Sequence, residues 1–458
     1  MKTVFKNIGP ISEAELELKD LTIIAGANNT GKTYLVYTLY GFLRLIQDPF
    51  FLRNRFDDLP FDLHKAVKEI LDSGKTLFSV EDFDKKAKQV VKQILHISAD
   101  NISDIFSSPS DDFEGAEFFL YPDYSLPDRL ESSMRLKIGR KKECHVAASF
   151  ENNLLSFNLL NCESSIPPEI MEGILISAFA RLCVPKLPEP FILSAERFGI
   201  SLFYKELDFT KNRLVEILQK LKDKGNRKNI DPFFLMMDQT SSRYAQPIKD
   251  NIDYTRDLEL IQKKHSTLIN GKLFDNVKEM AGGHFKYKEG IRFISKARKH
   301  GKFDIPLHLA SSSARGLSDL YFFLKHVARK DQLLIIDEPE SHLNTANQIE
   351  MARLLARCVN NGLKVLITTH SDYLIKEFNN LIMLNQDFSG KEKFLKKYSG
   401  CYGENDYLKQ ESVGAYISEK GSLTACEVDR FGLNMPNFDR TIDQINMIAN
   451  ELALSVEK

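Results

Sequence analysis

The run Gly26-Ala27-Asn28-Asn29-Thr30-Gly31-Lys32-Thr33 has the spacing G-x-x-x-x-G-K-[ST], which suits the binding of a nucleoside triphosphate. Gly26 and Gly31 let the backbone wrap the phosphates, while the N–H groups of the loop, through Asn28, Asn29 and Thr30, donate inward. A helix opening near Lys32 aims its positive end at the same anion. Lys32 can reach the β- and γ-phosphates, and Thr33 supplies a hydroxyl for Mg²⁺. ATP and Mg²⁺ are therefore the expected cofactors. A chance glycine-rich turn would not need a strand before it and a helix after it, and both are predicted here.

A second group of residues follows Leu333-Leu334-Ile335-Ile336, where the apolar run ends in Asp337 and Glu338. Carboxylates at the carboxyl end of a buried strand stand where open α/β sheets bind ligands. Asp337 is expected to hold Mg²⁺, directly or through water, and Glu338 to act as general base on the attacking water. A third strand, Val365 to Thr369, ends at His370, which can donate to the γ-phosphate or hold the water. A histidine at a strand end is more often structural; three strands ending on one nucleotide favour the catalytic role.

The elements that must place these residues are legible in the patterning. Val4, Phe5 and Ile8 predict a first strand, and the alternation from Glu13 to Leu18 predicts a second, paired as a hairpin. Leu21-Thr22-Ile23-Ile24-Ala25 reads as a strand buried on both faces. Thr33 to Ile46 has helical spacing, as do Thr345–Val359 and residues 317–329. Strands are expected at Phe191–Ser194, Ile291–Ile294 and Phe303–Leu307. The stretch from Leu154 to Leu160 is compatible with strand, and Glu169 to Leu182 and much of Leu214–Ala281 with helix. Ser79 and Asp82 look like the cap of a helix running to Ile97, and the polar stretch 102–127 reads as a loop or irregular lid. Strands alternating with helices predict α/β with a parallel sheet.

At 458 residues, 43% hydrophobic and 27% charged, the chain has the composition of a soluble globular protein of one large or two ordinary domains. No apolar run reaches the roughly 18–20 residues that span a bilayer. The opening Met1–Phe5 leads into strand pattern without an apolar signal core, so a cytoplasmic location and no membrane contact are expected. The 6 cysteines form no C-x-x-C, which argues against a zinc site. A net charge of −1 neither requires nor forbids nucleic acid.

Together these residues resemble the ABC-type ATPase heads of the SMC, RecF and OLD group. There the acidic strand runs on as D-E-P-E-x-H-L, here Asp337-Glu338-Pro339-Glu340-Ser341-His342-Leu343, and a histidine switch follows, here His370. Phe5-Lys6-Asn7-Ile8-Gly9-Pro10-Ile11 looks like the group's first hairpin. The matching segments cover roughly 1–46 and 285–385. The resemblance implies a signature of the L-S-G-G-Q kind, for which Ala310-Ser311-Ser312-Ser313-Ala314-Arg315 is the candidate. Ser312 and Ser313 stand where the motif has glycine, and a side chain at Ser313 is expected to crowd the γ-phosphate of a partner's ATP. A serine-rich helix cap is the plainer reading of the same residues. One phosphate loop and one signature per chain imply a head-to-tail homodimer, or a multiple of it. Asn344 occupies the place of the group's D-loop acid. Ser194-Ala195-Glu196-Arg197 is a substitute for its glutamine loop, or else a turn with a solvated Glu–Arg pair.

The expected fold is thus α/β: an ABC-type P-loop ATPase head with a mixed or parallel sheet and a large, mostly helical insertion. Residues 1–46, 185–200 and 285–390 would form the head, 47–184 and 201–284 an inserted helical lid or arm, and 391–458 a helical extension. Phe438, Ile442, Ile445, Ile448 and Leu452 have helical spacing, and no D-x-D occurs after 386, so no Toprim nuclease site is expected. The basic turns Arg135–Lys142, Lys220–Lys228 and Lys296–Lys302 are compatible with sequence-nonspecific DNA or RNA contact and equally with solvated loops. A stand-alone head of this kind resembles the ATPase partners of two-gene anti-phage systems such as Septu and PARIS. The resemblance implies a switch acting on an effector protein encoded nearby. A RecF-like DNA-repair ATPase and a nucleotide-gated scaffold with little turnover remain open.

Overall fold

The computed structural model describes residues 1–48, 51, 62–79, 81, 91–92, 95–121, 134–138, 144–151, 154–160, 166–183, 187–204, 244–268, 272–295, 301, 303–435 and 440–456. It divides into two compact units, one of residues 1–4, 42–98 and 117–188, the other of 5–41, 99–116 and 189–458.

The larger unit is built on a mixed, mostly parallel sheet. From one edge its strands are Pro190–Leu193, Leu333–Asp337, Lys364–Thr369, Leu21–Ala25, Val413–Glu419, Ser422–Cys426 and Ile11–Glu17. The first five run parallel, and Ser422–Cys426 turns back antiparallel on Val413–Glu419. Leu21–Ala25 and Leu333–Asp337 are buried at every position, as an apolar strand covered on both faces requires. Parallel neighbours need a crossover, and the helix Thr345–Asn360 supplies it between the acidic strand and the histidine strand. A buried pair, Arg353 Nε to Glu377 Oε1 at 2.6 Å, ties that helix to Asp372–Asn385. A small antiparallel sheet of Gly283–Tyr287, Ile291–Ser295 and Asp304–Pro306 packs Phe285 and Phe293 into the same core. The helix Ser312–Phe322 begins earlier than the spacing predicts and runs on as a π-helical turn, Phe323–Val327.

The smaller unit holds an antiparallel sheet in the order Lys75–Ser79, Leu154–Leu160, Cys144–Glu151, Met134–Ile138. It also holds the helices Leu63–Ser73 and Pro168–Cys183. Asp62 caps the first of these by accepting from the Lys65 N–H, and Gly74 closes it at φ 74°.

Four expectations need correction. Residues 47–184 are not simply a helical lid: beside its helices the described part carries an antiparallel sheet, in which the alternating residues of 144–151 and 154–160 pair with each other. Ile97, read as helical, lies in the strand His96–Ser98, and Ser79 ends a strand; residues 82–90 of that predicted helix lie outside the described residues. The stretch 102–127 is not simply a loop, since Ala99–Phe106 is helical with Ile102 and Ile105 buried and Glu117–Tyr121 is a strand. Residues 391–458 are not a helical extension: Val413–Glu419 is the second neighbour of the phosphate strand. A short apolar run cannot be told from a helix turn by its period alone, and the helical spacing of 440–456 was extended over it. Of the basic turns, most of Lys296–Lys302, all of Lys220–Lys228 and residues 139–142 lie outside the described residues. Among the described residues no helix is long and apolar enough to cross a membrane.

Candidate nucleotide site

The carboxyl ends of three adjacent parallel strands carry the site. The register sets Asp337 beside Thr368 and Thr369 beside Ala25, so the acidic strand, the histidine strand and the phosphate loop end together.

The loop needs its glycines for separate reasons. Gly26 approaches the carbonyl of Ser418 so closely that a Cβ would sit 2.5 Å from it. Gly31 holds φ 92° against Ile11 and Pro10. Asn29 also adopts a left-handed conformation, φ 63°. Ser418 Oγ donates to Thr30 O at 2.8 Å, so a residue of the late strand supports the loop. The Lys32 ammonium is folded onto the loop, donating to Gly26 O at 2.9 Å and Ala27 O at 2.7 Å. Burial lowers its pKa, while Glu338, Asp337 and Glu340 pull it back up.

Thr33 Oγ1 donates to Asp337 Oδ2 at 2.9 Å, and Thr368 Oγ1 donates to Asp337 Oδ1. Asp337 is fully buried. Burial pushes its pKa up to about 6 against those two hydroxyls. A hydroxyl and a carboxylate side by side form a hard-oxygen donor pair of the kind Mg²⁺ takes when phosphates and water complete its shell.

Glu338 follows with φ 51°, a strained value for a side-chain-bearing residue. Its N–H donates to Thr368 Oγ1 at 3.0 Å, and Ser341 Oγ donates to its Oε2 at 3.0 Å. His370 Nδ1 lies 3.7 Å from Glu338 Oε1 and 3.3 Å from Glu340 Oε1. Glu340 is buried; its Oε1 accepts from Thr369 Oγ1 at 2.8 Å and from the His370 N–H at 2.7 Å. Sequence reasoning missed Glu340 as a holder of His370, although it stands inside the D-E-P-E run.

Ser194–Arg197 continues the strand next to the acidic one, and only half of the expected pair is solvated: Glu196 is exposed and Arg197 buried. Glu196 Oε2 accepts from Tyr37 Oη at 2.8 Å, which with burial raises the Tyr37 pKa. Arg197 is buried and turned toward the acidic strand. Tyr37, Thr368 and Ser418 were also missed; only their partners across the sheet reveal them.

Ser311 caps the helix Ser312–Phe322, its Oγ accepting from the Ala314 N–H at 3.2 Å. Ser311 and Ser312 are exposed. The Ser313 hydroxyl is buried without a partner among the described residues, so it faces into its own subunit rather than outward, at a cost on the order of 1–3 kcal/mol. Arg315 lies 4.4 Å over the Phe198 ring, and Phe198 stacks 4.3 Å from His342. That stack brings the serine helix, the Ser194–Phe198 segment and the D-E-P-E turn together. Among the described residues no hydrogen bond joins Ser311–Ser313 to the phosphate loop. Asn344 caps the next helix, accepting from the Asn347 N–H at 2.9 Å.

Asp319, further along the serine helix, is 2% exposed, and burial pushes its pKa up to about 7 from 3.8 while Arg197 pulls it down. The folded protein therefore holds this proton more tightly than the unfolded chain. The contribution of Asp319 to stability falls as pH rises from about 4 to about 7 and is flat above. Asp319→Asn is expected to flatten the slope of Tm against pH between 5 and 7; an unchanged slope would remove Asp319 as its source.

Residues 198–375 match the family model for the AAA ATPase domain. A search of the curated proteins finds no match. Among solved structures, the chain is similar to the SMC head domain from Thermotoga maritima, with 11% identity, 93% of this chain and 98% of that one covered, and a TM-score of 0.30. It is also similar to the Smc head domain with an extended coiled coil bound to the C-terminal domain of ScpA, derived from Pyrococcus furiosus, with 12% identity, 98% of both chains covered and a TM-score of 0.33. A third is the recombination mediator protein RecF, with 10% identity, 93% and 97% covered and a TM-score of 0.29. These scores are low, and the fold assignment rests on the strand order and register. The phosphate loop, acidic strand and histidine strand end side by side, and over residues 198–375 the chain is similar to the AAA ATPase domain.

Proposed function

We propose that the chain is a Mg-ATP-dependent ATPase whose ATP-bound form closes into a homodimer and whose hydrolysis step reopens it, switching an effector protein. The observation that carries the reading is the Thr33 hydroxyl 2.9 Å from the Asp337 carboxylate, with Lys32 and Glu338 at the same strand ends. In this reading Gly26 and Asn28–Gly31 cradle the phosphates, and Lys32 leaves the loop carbonyls for the β- and γ-oxygens. Thr33 and Asp337 hold Mg²⁺, which neutralises phosphate charge when bound. Glu338 takes the proton of the attacking water, and His370, fixed by Glu340, orients that water or donates to the γ-phosphate. Exposed Ser311 and Ser312 are the residues of the serine helix available to a partner's nucleotide. The resemblance to two-gene systems supports an anti-phage role with an effector encoded nearby.

The test is phosphate release by the purified chain in Mg-ATP, with light scattering in ATP and in ADP. Turnover together with an ATP-dependent doubling of mass is expected. Turnover by a monomer would remove the dimer switch, and ATP binding without turnover would leave the scaffold reading. Stimulation by DNA that fades with salt would favour the RecF-like reading.

A further inference from the structure

We infer that Arg197 is the positioning residue that fixes the pose of Glu338, supported by the buried charge of Asp319 on the serine helix. The inference rests on the reading of the site as an ATPase and adds a residue that the motifs do not contain.

Arg197 is 5% exposed, and its guanidinium is spent on main-chain oxygens. Nη1 donates to Ser194 O at 3.1 Å and to Asp337 O at 2.7 Å, and Nη2 donates to Glu338 O at 2.7 Å. One planar fork thus grips the last residue of the acidic strand and the first residue of the turn. Two fixed donors spanning two successive carbonyls are within the geometry of arginine and outside that of lysine, whose ammonium is a single point.

The residue it grips needs holding. Glu338 sits at φ 51°, a conformation that costs about 1–3 kcal/mol and persists only where the surroundings over-determine it. Thr368 Oγ1 holds its N–H and Arg197 holds its C=O, so the peptide groups on both sides of the Glu338 Cα are pinned. With both ends fixed, the Glu338 side chain leaves the backbone in one direction, toward Ser341 and His370.

Asp319 is buried on the serine helix, which packs against the helix Arg197–Phe203; its carboxylate accepts from the Ser318 hydroxyl at 3.5 Å, and its charge acts on the guanidinium without an ion pair between the two among the described contacts. A cavity of about 10 Å³, lined by Arg197 with Leu193, Leu317, Leu320 and Ile336, leaves room for one water at most. A second tie runs nearby, where Arg315 covers Phe198, the residue after Arg197.

The experiment uses the full chain as wild type, Arg197→Lys, Asp319→Asn and Glu338→Gln. Steady-state phosphate release, affinity for a fluorescent ATP analogue, and hydrogen–deuterium exchange over 337–343 are measured for each. Arg197→Lys is expected to keep ATP affinity within about 3-fold, lower kcat by about tenfold or more, and speed exchange over 337–343 by about tenfold while the rest of the sheet is unchanged. Asp319→Asn, nearly isosteric, is expected to move the same readouts in the same direction by a smaller factor, and it carries the test if the lysine variant does not fold. In the Glu338→Gln background, Arg197→Lys is expected to lower kcat no further, because the two act as a unit. Unchanged exchange over 337–343 in both Arg197→Lys and Asp319→Asn would overturn the inference whether or not the wild type turns over. Losses of kcat that multiply in the double variant would overturn it too. A wild type that binds ATP without turnover would instead overturn the ATPase reading, with the exchange readout still deciding on Arg197.

Discussion

Glu338→Gln is expected to lower phosphate release by about 10²–10⁴-fold while ATP still binds. The amide keeps the size of the side chain and can still accept from Ser341 Oγ, but it cannot take a proton from water. Lys32, Thr33 and Asp337 are untouched, so the phosphate cradle is intact. If hydrolysis is the step that reopens a dimer, this variant accumulates the ATP-bound form. Size-exclusion with light scattering then finds twice the mass in ATP and the single mass in ADP. Release within tenfold of wild type would take the general base away from Glu338, and His370 would be the next group to replace.

The second large effect is expected from Lys32→Ala. The ammonium has two carbonyl partners in the loop, Gly26 O and Ala27 O, and it is the cation beside the Asp337, Glu338 and Glu340 carboxylates. Removing it leaves those acids to repel a triphosphate with one cation fewer beside the phosphate loop. In the proposed reading the ammonium exchanges these carbonyls for the β- and γ-oxygens; a hydrogen bond to a charged group contributes about 1.5–3 kcal/mol, so losing two to the phosphates lowers ATP affinity by roughly 10²-fold or more. Titration with a fluorescent ATP analogue measures it directly. An unchanged affinity would mean that Gly26–Thr33 is not the phosphate site, and the functional reading would fail with it.

The strands that end at the site were legible because burial on both faces leaves a sign that survives without context. Leu21–Ala25, Leu333–Asp337 and Lys364–Thr369 are each a nearly unbroken apolar run closed by polar or chemically distinctive residues. The phosphate loop and the acidic pair were legible because their spacing is set by a ligand rather than by the rest of the fold. Arg197 shows the limit. Its sequence neighbours present it as one half of a surface Glu–Arg pair, while its carbonyl partners lie 140 and 141 residues away. Nothing local announces that a guanidinium will be buried against main chain. Val413–Glu419 was lost for another reason: Val413-Gly414-Ala415-Tyr416-Ile417 is short, its glycine weakens either assignment, and its value as a strand depends on a neighbour laid down near the start of the chain. Ser313 shows the same limit in one atom. Its type suggested crowding at a phosphate, and only its orientation in the fold reveals a hydroxyl turned inward.

The contact between Ser418 and Thr30 spans 388 residues. On the ribosome, the phosphate loop leaves the exit tunnel hundreds of residues ahead of its supporting wall. Pairings of such separation form late, after the loop-closure entropy has been met. A nucleotide site supported in this way is unfinished until Ser418 has been synthesised. In the proposed reading, ATP binds only once the loop and its wall are together, and by mass action it stabilises that pairing.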